Sequence, residues 1–487
     1  MRITVLVAAL SALALAVPAS ASVGVLHSFA GPEGETPAAP LVQGIDGFLY
    51  GVAAHGGDFN VLPPDGGGTV FRTDGSGNLT TLHVFTGTDG AVPTGLVQGR
   101  DGAFYGTTTH GGQPGISSLT PGNGTIFRID AAGNLTVLFV FPGGERGFRP
   151  GALMQGSDGA LYGTAVGGEM LYARLPGVVY RFDPVTRDYR ILHTFVISDG
   201  RDPTGKLFQA NDGFFYGTTN QGGPWNSGVV YKVDAAGAFA VVHAFDVNEG
   251  SQPKAGVFQA GDGLFYGTLE SGGYGGRIFC MDAAGNLTVL FSFGPYSTDG
   301  WRPTTNPIEA RDGFFYGTTP RGGTSSGSYG VVYRMSRGGS LSVLHSFSGP
   351  DGISPSAALV QASDGLLYGS TIVGGANGLG TLFKLDPGQP ALLPTLVSLY
   401  VDPPGVVGGS PTKGTLTLSW AAPPGGAVVS LSSDSPLASV PASVTVPAGA
   451  KTVSFAVTTR STKKMRVATI TATYNGSQTS GTLAVTR

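Results

Sequence analysis

Cysteine is nearly missing from this chain. Its one thiol, Cys280, cannot form an intrachain disulfide, so the 487 residues must be held together by packing, and the chain is long enough for that. Charge is scarce as well. Asp, Glu, Lys and Arg make up 12% of the residues and sum to a net charge of −3 with no basic run, which argues against nucleic acid or an anionic membrane as the main partner. Beyond the first residues no stretch approaches 18 consecutive apolar positions, so no transmembrane segment is expected in the mature protein. Gly and Pro, by contrast, are abundant at 81 and 33 residues and act against long helices. With 41% hydrophobic and 10% aromatic residues the chain is too apolar for disorder. The reading is all-β with many short strands.

Residues 1–21 carry Arg2, an apolar stretch from Ile3 to Val17, and then Pro18-Ala19-Ser20-Ala21. Small residues after a short apolar stretch are the pattern of a secretory signal peptide, with cleavage expected after Ala21 and a secreted or cell-surface product.

Internal repetition dominates the rest. The motif Asp-Gly-x-x-Tyr-Gly begins at Asp46, Asp101, Asp158, Asp212, Asp262, Asp312 and Asp364, at intervals of 50 to 57 residues. Each repeat carries four strand-like runs, in the second repeat over 95–98, 103–108, 125–130 and 134–141. Four strands at this period predict propeller blades. The first two runs are joined through Asp-Gly, and the last two usually through Asp-x-x-Gly, as in Asp74 to Gly77; both are tight-turn chemistry. The seventh repeat has a third run over 381–386, then Pro387, and no fourth. Val25-Leu26-His27-Ser28-Phe29 matches the fourth run Val343-Leu344-His345-Ser346-Phe347, so the N-terminal strand is expected to complete the last blade. The expectation is a seven-bladed β-propeller over 22–386, a linker over 387–394 and, over 395–487, about seven alternating runs forming an immunoglobulin-like β-sandwich without its inter-sheet disulfide.

The segment Leu359-Val360-Gln361-Ala362-Ser363-Asp364-Gly365-Leu366-Leu367-Tyr368-Gly369, recurring seven times over 23–386, resembles the tandem repeats of bacterial choice-of-anchor GloVer-containing proteins. NHL-type propellers resemble it more distantly. The C-terminal stretch is similar to the bacterial Ig-like modules of such surface proteins. The resemblance implies a repeat propeller outside the cell. Its name implies a C-terminal anchor, which the residues up to Thr486-Arg487 do not display, and it assigns no catalytic residues to carry over.

Candidate chemistry is sparse. His27, His83, His193, His243 and His345 share one fourth-strand position with Phe139 and Phe291, which reads as core packing. His55 and His110 precede the Gly-Gly of a loop and read as solvated. Gln43, Gln98, Gln155, Gln209, Gln259, Glu309 and Gln361 stand three residues before each Asp-Gly, either as brackets between blades or as a ring around the channel, with Glu309 the one acid. Arg72, Arg128, Arg181, Lys232, Arg334 and Lys384 on the third strands read as blade-stabilising pairs and snorkelling stems, and Cys280 as a partly buried free thiol. No metal or cofactor motif occurs, so none is expected. Loops between second and third strands vary in length and share a face with the connections between blades. There Phe148, Arg149, Tyr172, Trp225, Trp301 and Arg302 are the candidate ligand-binding residues for an extracellular carbohydrate or protein. The function expected is non-catalytic binding or scaffolding. The alternative is a propeller enzyme of lyase or lactonase type, with acidic groups such as Glu309 at the channel mouth.

Overall fold

The protein is all-β. The computed structural model describes residues 23–113, 121–167, 169–170, 173–174, 177–387, 394–419, 422, 426–447 and 450–487. Residues 1–21, expected to be a signal peptide, Tyr172, and positions 388–393 of the expected linker lie outside the described residues. Among those described, the helical element is a single 3₁₀ turn, Gly144–Arg146.

Each repeat forms one small antiparallel sheet. In the second, Ala91–Gln98, Phe104–His110, Thr125–Ile129 and Leu135–Val140 pair in chain order. Seven sheets with this arrangement occur among the described residues. The seventh is joined from both ends of the region: Val23–Ser28 pairs antiparallel with Thr381–Leu385, Val25 opposite Phe383. Pro387 has no N–H for a further ladder bond, and the edge of Thr381–Leu385 is taken by the N-terminal strand.

The recurring motif is explained by contacts repeated in every sheet. The Asp carboxylate accepts the hydroxyl proton of the Tyr four residues on, at 2.7 Å from Tyr50 to Asp46 and 2.9 Å from Tyr216 to Asp212. Its other oxygen accepts the N–H two residues on, as Asp312 does from Phe314 at 3.0 Å. Burial first, and then the carboxylate, push the Tyr50 and Tyr162 phenols up to about 12. The Gly after each Tyr is required by a close approach. A Cβ on Gly106 would meet the Phe127 ring at 2.4 Å, and one on Gly217 the Tyr231 hydroxyl at 2.5 Å.

Apolar cores lie between neighbouring sheets. Tyr50, Val70 and Phe85 of the first pack on Leu96, Phe104 and Phe127 of the second, with the Tyr50 and Phe104 rings 4.0 Å apart. The same arrangement runs from sheet to sheet and returns to the start, where Tyr368 and Leu382 of the seventh join Phe29, Leu41, Leu49 and Phe71. A Cβ on Gly95 would touch Ala39 at 3.7 Å and Ala152 at 3.9 Å, so the first strand of the second sheet is met on both sides by the segments that lead into Val42–Gln43 and Met154–Gln155 of its neighbours. The sheets therefore converge on their first strands, and the fourth strands lie outermost.

Beyond residue 394 two more sheets enclose a separate core. One orders Leu396–Asp402, Thr412–Leu418, Thr452–Thr459 and Ala438–Ser439; the other Gly405–Val407, Ser477–Thr486, Arg466–Tyr474, Ala427–Ser433 and Ser443–Val446. Alternate positions, among them Leu416, Leu418, Val429, Phe455, Val457, Ile470 and Leu483, point into that core.

Candidate functional site

The face of Asp-Gly turns is a circuit of brackets. Gln98 accepts the Ile45 N–H of the preceding sheet at 3.1 Å and donates to the Gly102 carbonyl of its own turn at 3.0 Å. Gln361 does the same with Arg311 and Gly365, and Gln43 accepts the Ser363 N–H at 2.8 Å, which joins first sheet to seventh. Glu309 keeps the acceptor half, taking the Gly261 N–H at 2.8 Å. A carboxylate has no proton for the turn carbonyl, and its second oxygen instead pairs with Arg337, which also pairs with Asp262. Glu309 is thus engaged on both oxygens.

The third-strand bases find partners other than one another. Arg128 and Arg181 pair at 3.0 Å with the turn aspartates Asp101 and Asp158. Arg72, Lys232 and Arg334 lie over the rings of Phe48, Phe214 and Phe314 at 5.0, 4.9 and 4.7 Å. Cys280 is a half-buried free thiol, pushed up by burial and by Asp262.

The fourth-strand histidines are not core residues in the sense expected. Each packs edge-on against the Phe two positions on, as His83 does with Phe85, yet its Nε2 meets a carboxylate six residues later. The pairs are His27 with Glu33, His83 with Asp89, His193 with Asp199, His243 with Glu249 and His345 with Asp351, at 2.8 to 3.2 Å. The carboxylate also accepts a loop N–H, Thr86 to Asp89 at 2.9 Å for instance, so each pair staples the connection leaving the fourth strand. The spacing His-x-x-x-x-x-Asp/Glu, repeated five times, was a signal present in the sequence. Burial holds His193 below its ordinary value against the pull of Asp199. Burial also raises Asp89, but bonds from His83 and Thr86 outweigh it and leave the carboxyl low.

On the opposite face, each connection between sheets passes through a non-glycine residue with positive φ before a proline: Thr36, Val92, Arg149, Asp202, Gln252, Arg302 and Ser354, at +48 to +62°. This strained backbone is held from the preceding sheet, whose carbonyls accept the N–H of Val92, Arg149, Gln252 and Arg302 at 2.6 to 3.1 Å. The residue before it bridges the loop after the second strand, Arg201 with Gln221 and Trp301 with Arg321 among them. Of the candidate residues, Arg149, Trp301 and Arg302 are held by these backbone contacts.

Four of the candidates form two separate pairs, Phe148 with Arg149 and Trp301 with Arg302. Phe148 and Arg149 lie together, the guanidinium 5.3 Å over the ring, and line a cleft of about 320 Å³ with Gln113, Pro121, Gly122 and Asn123. His110 belongs to this neighbourhood and is not simply solvated. Burial, then the charges of Arg149 and His55, lower it to about 4, so the imidazole is neutral, with Thr109 on its Nδ1 at 2.8 Å. The Nδ1 of His55 is buried without a partner. Three sheets further on, half-buried Trp301 packs on Tyr296 and sits under Arg302 and Arg321. Arg302 is held at 3.0 Å by the buried carboxylate of Glu270, which also pairs with Lys254. Trp301 and Arg302 are consequently occupied. Trp225 is 62% exposed and stands apart from both groups. Glu270 escaped the sequence reading although it is the one acid in a column otherwise filled by Ala54, Thr109, Val166, Asn220, Pro320 and Ile372. Among the described residues no three His, Cys, Asp or Glu gather to hold a metal ion, and no helix is long and apolar enough to cross a membrane.

A repeat protein made of small antiparallel sheets is the class this architecture defines. The model of the Gloeobacter/Verrucomicrobia repeat matches residues 14–170, 116–325 and 274–419, and the chain belongs to that family. No curated protein matches it in sequence. Among solved structures it is similar to the extracellular domain of a hybrid two-component system from B. thetaiotaomicron (9% identity, 96% of this chain and 58% of that one, TM-score 0.47). Others are the GH74 xyloglucanase from Xanthomonas campestris (15%, 82% and 60%, 0.43) and an α-L-arabinanase from Penicillium chrysogenum (14%, 60% and 92%, 0.37). The chain thus spans about three fifths of the length of the first two.

Proposed function

We propose that this is a secreted, non-catalytic recognition protein. In this reading residues 22–386 form a seven-bladed β-propeller closed by the N-terminal strand, residues 395–487 form an Ig-like sandwich, and the loop face takes a carbohydrate at the Phe148–Arg149 cleft. One observation carries the reading: an exposed guanidinium, a half-buried aromatic ring and the amides Gln113 and Asn123 share one cleft of about 320 Å³. A ring face takes the C–H side of a sugar, while amides and a guanidinium take its hydroxyls. Neutral His110, whose Nδ1 is taken by Thr109, adds a single ring nitrogen, Nε2, near Arg149. Glu270 and Glu309, the acids an enzyme would need, are tied to cations, which favours binding over catalysis.

A glycan array on the secreted protein, followed by calorimetry on the best ligand, tests this. Phe148→Ala and Arg149→Ala should each weaken binding about 10-fold or more with unchanged thermal unfolding. Affinity indifferent to both changes, release of a cleaved product, or ligands found only among proteins would each overturn it. Intact mass of the secreted chain should correspond to a start at Ser22; mature protein retaining 1–21 would contradict secretion by cleavage.

A further inference from the structure

A cleft of about 430 Å³ lies outside the repeat region, where the two C-terminal sheets meet. Ser432 reaches it from the end of Ala427–Ser433 in one sheet, and Ser439 from Ala438–Ser439 in the other. Asp434 and Pro436 stand on the connection between those strands, and Arg460 directly follows Thr452–Thr459, the neighbour of Ala438–Ser439. No aromatic side chain lines the cleft, so a sugar ring finds no face to stack on.

Its walls are fixed by local bonds. Ser433 Oγ donates to the Ser435 carbonyl at 3.1 Å and accepts the Ser435 N–H at 3.3 Å, while Ser435 Oγ accepts the Leu437 N–H at 3.3 Å. Asp434 is pinned to the strand Arg466–Tyr474. Its N–H donates to the Thr469 carbonyl at 3.1 Å, and its Oδ1 accepts the Thr469 N–H at 2.7 Å. The second of these bonds holds the carboxyl below its ordinary value. Arg460 is tied through its backbone, the N–H donating to the Leu437 carbonyl at 3.0 Å, and its side chain is left exposed.

The cleft thus holds one carboxylate and one guanidinium that do not pair with each other, and neither has an ion-pair partner among the described residues. The bonds to Thr469 keep Asp434 from swinging across to close the pair. Exposed Ser432 and Ser439 add hydroxyls that donate or accept. The complement of two fixed opposite charges is a ligand that carries both signs: a carboxylate for the fork of Arg460 and an ammonium for Asp434.

We infer that this cleft binds a small zwitterion, an amino acid or a short peptide with free ends, with Arg460 on its carboxylate and Asp434 on its ammonium. The site is separate from the Phe148–Arg149 cleft, and neither depends on the other.

The probe is a ladder of glycine, diglycine and triglycine titrated calorimetrically into the full mature chain, followed by the N-acetylated and C-amidated forms of the tightest binder. At least one rung should bind, and blocking either end should weaken it about 5-fold or more. A tightest binder of one residue identifies a free amino acid as the ligand class, and a longer one a peptide. Asp434→Asn, which keeps an Oδ1 for Thr469, should abolish the penalty for acetylation and preserve that for amidation. Arg460→Gln should do the reverse, which separates loss of charge from the added bulk of the blocking groups. The inference is overturned if no rung binds, if the blocked forms bind as well as the free one, or if either penalty persists in its matching variant. Should Asp434→Asn fail to fold, Arg460→Gln decides alone, since its side chain is exposed and makes no ion pair.

Discussion

The two faces of the repeat region obey different rules. On the turn face seven sheets make the same bonds: Asp to Tyr, side-chain acceptor to the neighbouring N–H, aromatic ring over Gly. On the loop face the backbone also repeats, to the point of seven positive-φ residues before proline, but the side chains there are Thr36, Val92, Arg149, Asp202, Gln252, Arg302 and Ser354, no two neighbours alike. Uniform chemistry holds the sheets in register, and variable chemistry on a rigid frame makes individual sites. Glu309 shows the contrast from the other side: an acid placed in the uniform circuit is absorbed by it, with Arg337 taking up the charge.

The comparison breaks most severely if closure fails. Deleting residues 22–29 removes the strand paired with Thr381–Leu385 and the fully buried Phe29, so the repeat region should lose cooperative unfolding and aggregate, while truncation after 387 should leave its melting unchanged. Circular dichroism and light scattering read both, and an unaltered transition after the N-terminal deletion would refute closure by strand exchange.

Next in size is the glycine beneath the aromatic ring. Gly106→Ala forces a Cβ to within 2.4 Å of Phe127 and should cost about 1–3 kcal/mol in chemical denaturation. No change would mean that ring and backbone are not in contact. Breaking one bracket should cost less: Gln98→Ala leaves the Ile45 N–H without its acceptor and should destabilise by roughly 1 kcal/mol, part of which water at the half-exposed site restores.

Acid acts on the outer staples and on the cleft. In the unfolded chain histidine titrates near about 6.5; His193 and His110 are lower when folded, so the unfolded state binds more protons below that value. Stability should fall as the pH drops from about 6.5 toward the lowered values, about 4 for His110. Asp89, also lowered, adds stability that is complete above about 3.9 and lost as the pH falls through its folded value. His193→Phe, the residue type found at Phe139 and Phe291, should flatten the slope of melting temperature against pH below about 6.5. An unchanged slope would remove His193 from the account. The smallest effect belongs to the loop face itself: Trp225→Ala, at a side chain 62% exposed, should shift stability by less than about 0.5 kcal/mol, and a larger loss would show the loops to be part of the frame.

Much of this was decided by the chain itself. The period of the Asp-Gly-x-x-Tyr-Gly motif, the turn residues and the match of Val25 through Phe29 to Val343 through Phe347 specify the sheets and the odd strand, because turn geometry and strand alternation are local properties. Even the His-to-carboxylate spacing of six was there to be found. What only the tertiary structure decided is which equivalent positions meet across sheets. Trp301 and Arg302 read as available until Glu270, Lys254, Arg321 and Tyr296 occupied them; His110 read as solvated until Arg149 arrived from the next sheet. Burial and ion pairing depend on neighbours from other strands, Glu270 for Arg302 and Arg149 for His110, which stand 32 and 39 residues away in sequence, and no local pattern records them.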